Sequence, residues 1–507
     1  MDGGTALTSP APIHPLIPNL SQRMASYQAE LAVCDDYYRG QQPLQFLAPE
    51  VRQQVGNRLT SLVINWPRVI VDSVQRRTYV EGFRLGVGGQ ADDELWRIWQ
   101  ANDLDEWSQL AHVDALVHGR AFLTVWGNDE DPQTPRIAAE SAHQMVVSYK
   151  AGTRQVDAAL KRWRDDGVEY ATLYLPDQIV RYAADAPKAG ADSRNLPWQF
   201  DQSLPNPLGA VPVVPLVNRP RLRDLNGESE LTDVIPLADA VNKLATDMMV
   251  ASEFHATKRR YATGIQIPTS SGSEDGAERR RLQAEAAAYW DNATKGKTWL
   301  AGEGVNFGQF DEASLDNFAN AIRLLTSQIA AIGGLPPDDL GLNTTNPASA
   351  EARRAAETTL NNRAHEKMRA WGGSYERAMR LALAVQRGIA VADLPTDLRG
   401  METIWRDPET PTVAQTADAA VKLFVAGIID AEQAQEDIGL TPVQRESIAK
   451  RRDLAASTAA TADVNARMDL ARQLQANDGL SLNASLAAVG LLQAAAQNST
   501  TPAAPAA

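Results

Sequence analysis

Cysteine is almost missing: Cys34 is the only one in 507 residues. No intrachain disulfide and no cysteine-based zinc site can form, and the chain suits a reducing compartment such as the cytosol, where synthesis is expected. Uninterrupted apolar runs fall short of the ~18 residues that mark a membrane span. The start, MDGGTALTSPAPIHPLIPNL, lacks the basic and apolar regions of an export signal, so neither export nor membrane contact is expected. Positive charge is scarce as well. Lys plus Arg total 49 against 63 Asp plus Glu, giving a net charge of −14 and a pI near 5.0. A surface that grips nucleic acid all over is thereby excluded. DNA touching a local stripe, or sliding past an acidic wall that must not hold it, is not.

Catalytic signatures are missing too. None of the six histidines (His14, His112, His118, His143, His255, His365) pairs with another at the i, i+4 spacing of a zinc helix, and His365-Glu366 lacks the second histidine of HExxH. Lys295-Gly296-Lys297-Thr298 resembles the end of a P-loop, yet Asp291 stands where its first glycine belongs. No GxSxG elbow occurs, and Gly86 to Gly89 is not expected to follow a strand that opens into a helix. No catalytic residue, no metal ligand and no cofactor is expected. Asp129-Glu130-Asp131 and Asp338-Asp339 could hold a divalent cation but read as solvated loop charge. The eleven tryptophans are scattered from Trp66 to Trp405 and read as core and subunit-interface anchors.

What is present is a chain rich enough in apolar residues, 44%, for a sizeable core and long enough for three or four domains. Residues 1–24 read as a flexible arm, with folding proper beginning near Ala25. Residues 25–235 alternate helical and strand-like signals, an α+β pattern. Asp92 to Val117 should break near Asn102-Asp103, and Gly119 should cap the second helix. Leu204 to Pro220 is too proline-rich for anything but edge strand or loop.

Two long amphipathic helices follow. The first, over 236–260, carries Leu237, Val241, Leu244, Met248, Ala251 and His255 on one face; the second, over 314–332, carries Leu315, Phe318, Ile322, Leu325, Ile329 and Ile332. Lys258-Arg259-Arg260 ends the first helix, either as favourable charge for its dipole or as a local phosphate contact. Residues 261–313 form a small compact unit between the two. Breakers at 333–347 impose a loop, and Asn346-Pro347 starts a helix extending to about residue 386, longer than about 50 Å. Residues 387–412 return as strand, helical pattern resumes over 413–455 with a restart after Thr441-Pro442, and the Ala-rich stretch 456–507 reads as partly disordered.

Several blocks resemble the tailed-bacteriophage portal proteins. They are Tyr37-Tyr38-Arg39-Gly40, Asn65-Trp66-Pro67-Arg68-Val69-Ile70-Val71-Asp72, Tyr79-Val80-Glu81-Gly82-Phe83 and Gly227-Glu228-Ser229-Glu230-Leu231. Val234-Ile235-Pro236-Leu237, Asp239-Ala240-Val241-Asn242-Lys243, Ile332-Gly333-Gly334-Leu335-Pro336, Ala348-Ser349-Ala350-Glu351-Ala352 and Ile404-Trp405-Arg406-Asp407-Pro408 extend the likeness. It covers roughly residues 28–450.

The resemblance implies a mainly helical α+β ring subunit with wing (25–235), stem helices, clip (261–313), tunnel loop, long wing-to-crown helix, strand return to the wing, and crown (413–455). The ring usually has twelve copies and sits at one vertex of the virion head. Its partners would be double-stranded DNA, the terminase large subunit, major capsid and scaffold proteins, and a head-tail adaptor. Twelve copies at −14 would carry −168, so the channel would repel phosphate and let DNA slide. In this picture Asn343, Thr344, Thr345 and Asn346 of the tunnel loop face the DNA with neutral donors and acceptors. A nucleic-acid-processing enzyme of the virion and a channel-less structural adaptor are the alternatives.

Overall fold

The computed structural model describes residues 13–43, 62–86, 91–186, 196–256, 260–263, 276–281, 284–285, 306–309, 315–342, 350–409, 413–440, 442–478 and 481–490. The chain divides into two compact units, Met1–Pro408 and Glu409–Ala507.

In the first unit, helix α1 (Leu16–Arg39) precedes α2 (Trp66–Gln75), strand β1 (Val80–Leu85), α3 (Asp93–Ala101) and α4 (Leu104–His118). Asn65 and Asp92 cap α2 and α3 by accepting from the Arg68 and Leu95 amides at 3.2 and 2.9 Å, and Pro67 fits the first turn of α2. The break between α3 and α4 falls at Asn102-Asp103, where Asp103 takes a left-handed φ of 51°. Then come β2 (Arg120–Trp126), β3 (Arg136–Ser141), β4 (Met145–Tyr149), β5 (Val156–Asp165), β6 (Val168–Tyr174), β7 (Gln178–Asp185), β8 (Gln199–Pro205) and β9 (Val213–Val217).

Strands β4 to β8 form a five-stranded antiparallel meander, and β9 joins β2 and β3 in a three-stranded sheet. Of the prolines of the 204–220 segment, Pro205 and Pro215 lie in β8 and β9, which are both edge strands, where a missing N–H costs no ladder bond, and Pro207, Pro212 and Pro220 lie in the connecting loops.

Helix α5 (Ile235–Ala256), the ladder β10 (Arg260–Thr263) with β11 (Asn306–Gln309), and α6 (Asp316–Gly333) follow. After a short 3-10 turn at Pro337–Leu340 comes α7 (Ala350–Arg387), 38 residues long, and then β12 (Met401–Trp405), which pairs antiparallel with β1. Against expectation, Gly86 to Gly89 does fall between a strand, β1, and a helix, α3; β1 pairs antiparallel, which is not the parallel βαβ setting of a Rossmann loop. The main core gathers α2, α3, α4, β2, β9 and α7 around fully buried Trp99, Trp371 and Tyr375.

The arm expected over 1–24 is corrected: α1 begins at Leu16, and Ile17, Leu20 and Met24 bury against Val146, Leu160, Leu173 and Tyr182 of the five-stranded sheet. Burial of those three side chains outweighs the weak helical signal of a segment rich in proline. In the second unit, α8 (Val413–Val425), α9 (Ala431–Asp437), α10 (Pro442–Asp478) and α11 (Leu482–Ala488) follow one another. Helix restarts at Pro442 as expected, but α10 runs unbroken through the boundary expected at 455.

Candidate functional site

The blocks that resemble portal sequences converge. Tyr37 donates its hydroxyl to Asp239 Oδ1 at 2.6 Å, Tyr38 to Asp72 Oδ1 at 2.9 Å, and Asn65 Nδ2 to the Tyr38 carbonyl at 2.9 Å. Tyr79 and Arg406 pair through the backbone at 2.9 Å while Arg406 reaches Glu81 at 2.6 Å. Motifs far apart in sequence therefore form one framework at the foot of the two long helices.

The 227–231 block turns the chain into α5. Gly227 takes φ 80°, and a Cβ there would lie 2.4 Å from the carbonyl oxygens of Asn218 and Gly119. On Gly119, at φ 78°, a Cβ would lie 2.9 Å from the Glu228 backbone. Only glycines allow these two segments to touch. The contact is sealed by Asn218, whose side chain donates to the Glu228 carbonyl at 2.7 Å, and by the Glu230 amide, which donates to the Leu116 carbonyl at 2.9 Å.

That docking drives Glu230 into the interior. Its side chain is 1% exposed and ion-paired with both Arg363 and Lys367, one turn apart on α7. Burial alone would raise the Glu230 carboxyl, but Lys367 and Arg363 overcome it and hold the group below its ordinary range. Burial also pushes the Lys367 ammonium down, with Glu230 opposing. Arg363 uses its other nitrogen to donate to the Ile332 carbonyl at 2.7 Å, at the C-terminal end of α6. One ionic cluster thus ties the start of α5 and the end of α6 to the long helix α7.

Helices α5 and α6 pack together, with the N-terminal end of one and the C-terminal end of the other in the core. Of the expected stem residues, Val241 and Ile329 are fully buried, while Leu237, Ile322 and Leu325 are partly buried against the core. Leu244, Met248 and Phe318 are only half-buried. The buried face of α5 is instead Ala238, Val241, Asn242, Ala245 and Thr246, rotated from the expected stripe. Two of its polar atoms are partnered: Asn242 Oδ1 accepts from the Ile64 amide at 2.8 Å and Thr246 donates to the Asn242 carbonyl at 2.8 Å, whereas the Asn242 Nδ2 amide is buried without a hydrogen-bond partner. Ile332 is exposed, although the periodicity placed it on the apolar face of α6.

Asn343, Thr344, Thr345 and Asn346 lie outside the described residues, as do Lys258 and Arg259; Arg260 begins β10. Before that stretch, Gly334 caps α6 in a left-handed conformation, Leu335 is buried and the Pro337–Leu340 turn closes on Gly341. Neither acidic loop stands free: Glu130 pairs with Arg136 at 3.3 Å and Asp339 with Arg353 at 3.7 Å.

Two polar clusters escaped the sequence reading. Besides the Glu230 cluster, His112 lies fully buried, stacked on Trp371 at 4.5 Å, with its ring nitrogens 3.1 Å from the Thr78 hydroxyl and 2.8 Å from the Tyr375 hydroxyl. Burial pushes its pKa down to about 3, leaving it neutral.

Comparison with known proteins agrees with the blocks. The family described as phage portal protein, SPP1 Gp6-like, matches residues 17–446. The portal protein of Mycobacterium phage D29 is 36% identical over 427 residues, covering 81% of this chain and 83% of the relative. That of Mycobacterium phage L5 is 36% identical over 434 residues, covering 83% and 84%. Among solved structures, a chain from the neck of a native GTA particle computed with C12 symmetry is 15% identical with a TM-score of 0.40, over 74% of this chain and 88% of that one.

Proposed function

The chain belongs to the phage portal proteins of the SPP1 Gp6-like family, and from that premise we propose that it is one subunit of a ring at a single vertex of the head. Double-stranded DNA passes through that ring during packaging and ejection. Helices α5 and α6 are its stem, residues 261–313 the clip that docks the terminase, and residues 333–347 the tunnel loop. The wing comprises the N-terminal helix through residue 235 together with residues 387–412, and the helices from 413 onward are the crown. Capsid, scaffold and head-tail adaptor proteins contact it in turn, and its role is structural, with packaging energy supplied by the terminase.

The observation that carries this reading is the Glu230–Arg363–Lys367 cluster, which joins both stem helices to the helix that follows the loop. A rigid joint at that point suits a channel wall that must hold its shape while DNA moves. Exposed apolar side chains, Leu324 and Ile332 on α6, fit contacts with neighbouring copies. Native mass measurement and electron microscopy of the purified chain should give a closed ring with a central hole. A monomer at every salt and protein concentration would overturn the assignment.

A further inference from the structure

Away from the stem, three side chains remote in sequence meet where α1, α4 and the β3–β4 turn come together. Asp35 lies near the end of α1, His118 is the last residue of α4, and His143 sits in the turn. Both imidazoles aim Nε2 at one carboxylate: His118 Nε2 is 3.0 Å from Asp35 Oδ1 and His143 Nε2 is 2.8 Å from Asp35 Oδ2. The three donor atoms lie within 4.8 Å of one another. Donors of a tetrahedral shell at about 2.1 Å are separated by about 3.4 Å, so an ion fits once the contacts between Asp35 and the two imidazoles open by about half an ångström.

The far sides of both rings have their own acceptors. Gln28 donates Nε2 to the His143 carbonyl at 3.1 Å, which turns its Oε1 toward His143 Nδ1 at 3.0 Å. An acceptor there draws the proton of a neutral imidazole to Nδ1 and leaves the lone pair of Nε2 facing a carboxylate oxygen. Two acceptors in contact repel unless something positive lies between them. Asp114 Oδ2 stands 3.7 Å from His118 Nδ1, a buried nitrogen with no hydrogen-bond partner. This approaches the outer-shell pattern of metal-bound histidines: Gln28 holds His143 at its second nitrogen, and Asp114 faces that of His118.

A cavity of about 410 Å³, lined by Trp107, Leu110, Asp114, Ser141 and His143, opens beside the cluster. It gives an ion a path in and a water a place to complete the shell. With two neutral imidazoles, Asp35 and Asp114 leave two negative charges, which one divalent ion balances.

We propose that Asp35, His118 and His143 bind one divalent transition-metal cation of the zinc class, through a carboxylate oxygen and two Nε2 atoms, with the fourth position open to the cavity. The N₂O donor set suits zinc or cobalt over calcium or magnesium. The ion fastens α1 to α4 and the β3–β4 turn. Scanning for two histidines on one helix misses it, because Asp35 is 83 residues from His118 and 108 from His143.

The test uses the full chain, stripped with chelator and dialysed, then titrated with ZnCl₂ or CoCl₂ at pH 7.5. One zinc per chain by elemental analysis, visible Co²⁺ absorption of a four-coordinate site, and a melting temperature raised by zinc but not by CaCl₂ are expected. His143→Ala should lose the stoichiometric ion. Gln28→Ala, which leaves the ligands in place, should weaken zinc binding by about 10–100-fold, and His365→Ala, at an exposed histidine elsewhere, should change nothing. Wild-type chain that takes up no zinc, or whose uptake and melting are indifferent to His143→Ala and Gln28→Ala, overturns the site. So does stabilisation on acidification alone with no response to metal, which would make protons the ions between these groups.

Discussion

At the scale of single residues, burial dictates protonation. His112 makes both ring hydrogen bonds without charge, to the Thr78 and Tyr375 hydroxyls, inside a box of Trp371, Tyr375 and Trp405. The folded chain therefore takes up this proton only near pH 3, against 6.5 for an ordinary histidine. Below pH 6.5 the unfolded chain binds a proton that the folded chain refuses, so stability from this group is complete above that pH and is lost as pH falls toward the folded value. The loss amounts to about 1.4 kcal/mol per pH unit, or about 2 kcal/mol between pH 6.5 and 5. His112→Gln removes the titration while offering a donor and an acceptor to the same hydroxyls. By denaturant titration the variant should be the less stable at pH 8, and the gap should narrow by about 2 kcal/mol at pH 5. A gap that does not change with pH would mean that His112 takes up its proton as readily in the folded chain as in the unfolded one.

Among elements, the joint that ties α5 and α6 to α7 rests on charges that only make sense together. Glu230→Ala leaves Lys367 buried beside Arg363 with no carboxylate, at a cost of about 3–5 kcal/mol. Glu230→Leu combined with Lys367→Met replaces the pair by apolar volume and should recover most of that loss in thermal melts. If the double variant is no better than the single one, the pair supplies more than its own neutralisation. Much of this architecture was legible in the sequence. The α3–α4 break at Asn102-Asp103, the Gly119 cap, the edge strands of the proline-rich segment and the long helix after the loop all follow from local rules that no tertiary contact overrides. The inward face of α5 did not follow, because periodicity is read from hydrophobicity and this face buries the polar residues Asn242 and Thr246, whose Oδ1 and hydroxyl are hydrogen-bonded. Glu230, Arg363 and Lys367 were equally hidden: a charged residue in a sequence reads as surface until a chain far away supplies its counter-charge.

For the whole molecule in the proposed role, the balance to be struck is between holding DNA and releasing it. A chain of net charge −14 offers phosphate few counterion-releasing contacts, and the residues proposed to face the DNA, Asn343, Thr344, Thr345 and Asn346, are neutral. Short amide and hydroxyl groups exchange hydrogen bonds with phosphate readily, so no single position along the duplex is favoured and movement meets little resistance. Asn343→Lys with Thr344→Lys adds two positive charges to every subunit, and repetition around a ring concentrates them at one level of the channel. Each added phosphate contact steepens the salt dependence of binding and lengthens the time DNA is held. Such rings should form and melt as wild type does, since no residue of the Glu230–Arg363–Lys367 joint is changed. Packaging in vitro should slow or stall at low salt and recover as salt is raised. Wild-type packaging rate and completeness at low salt would remove this loop from the DNA path.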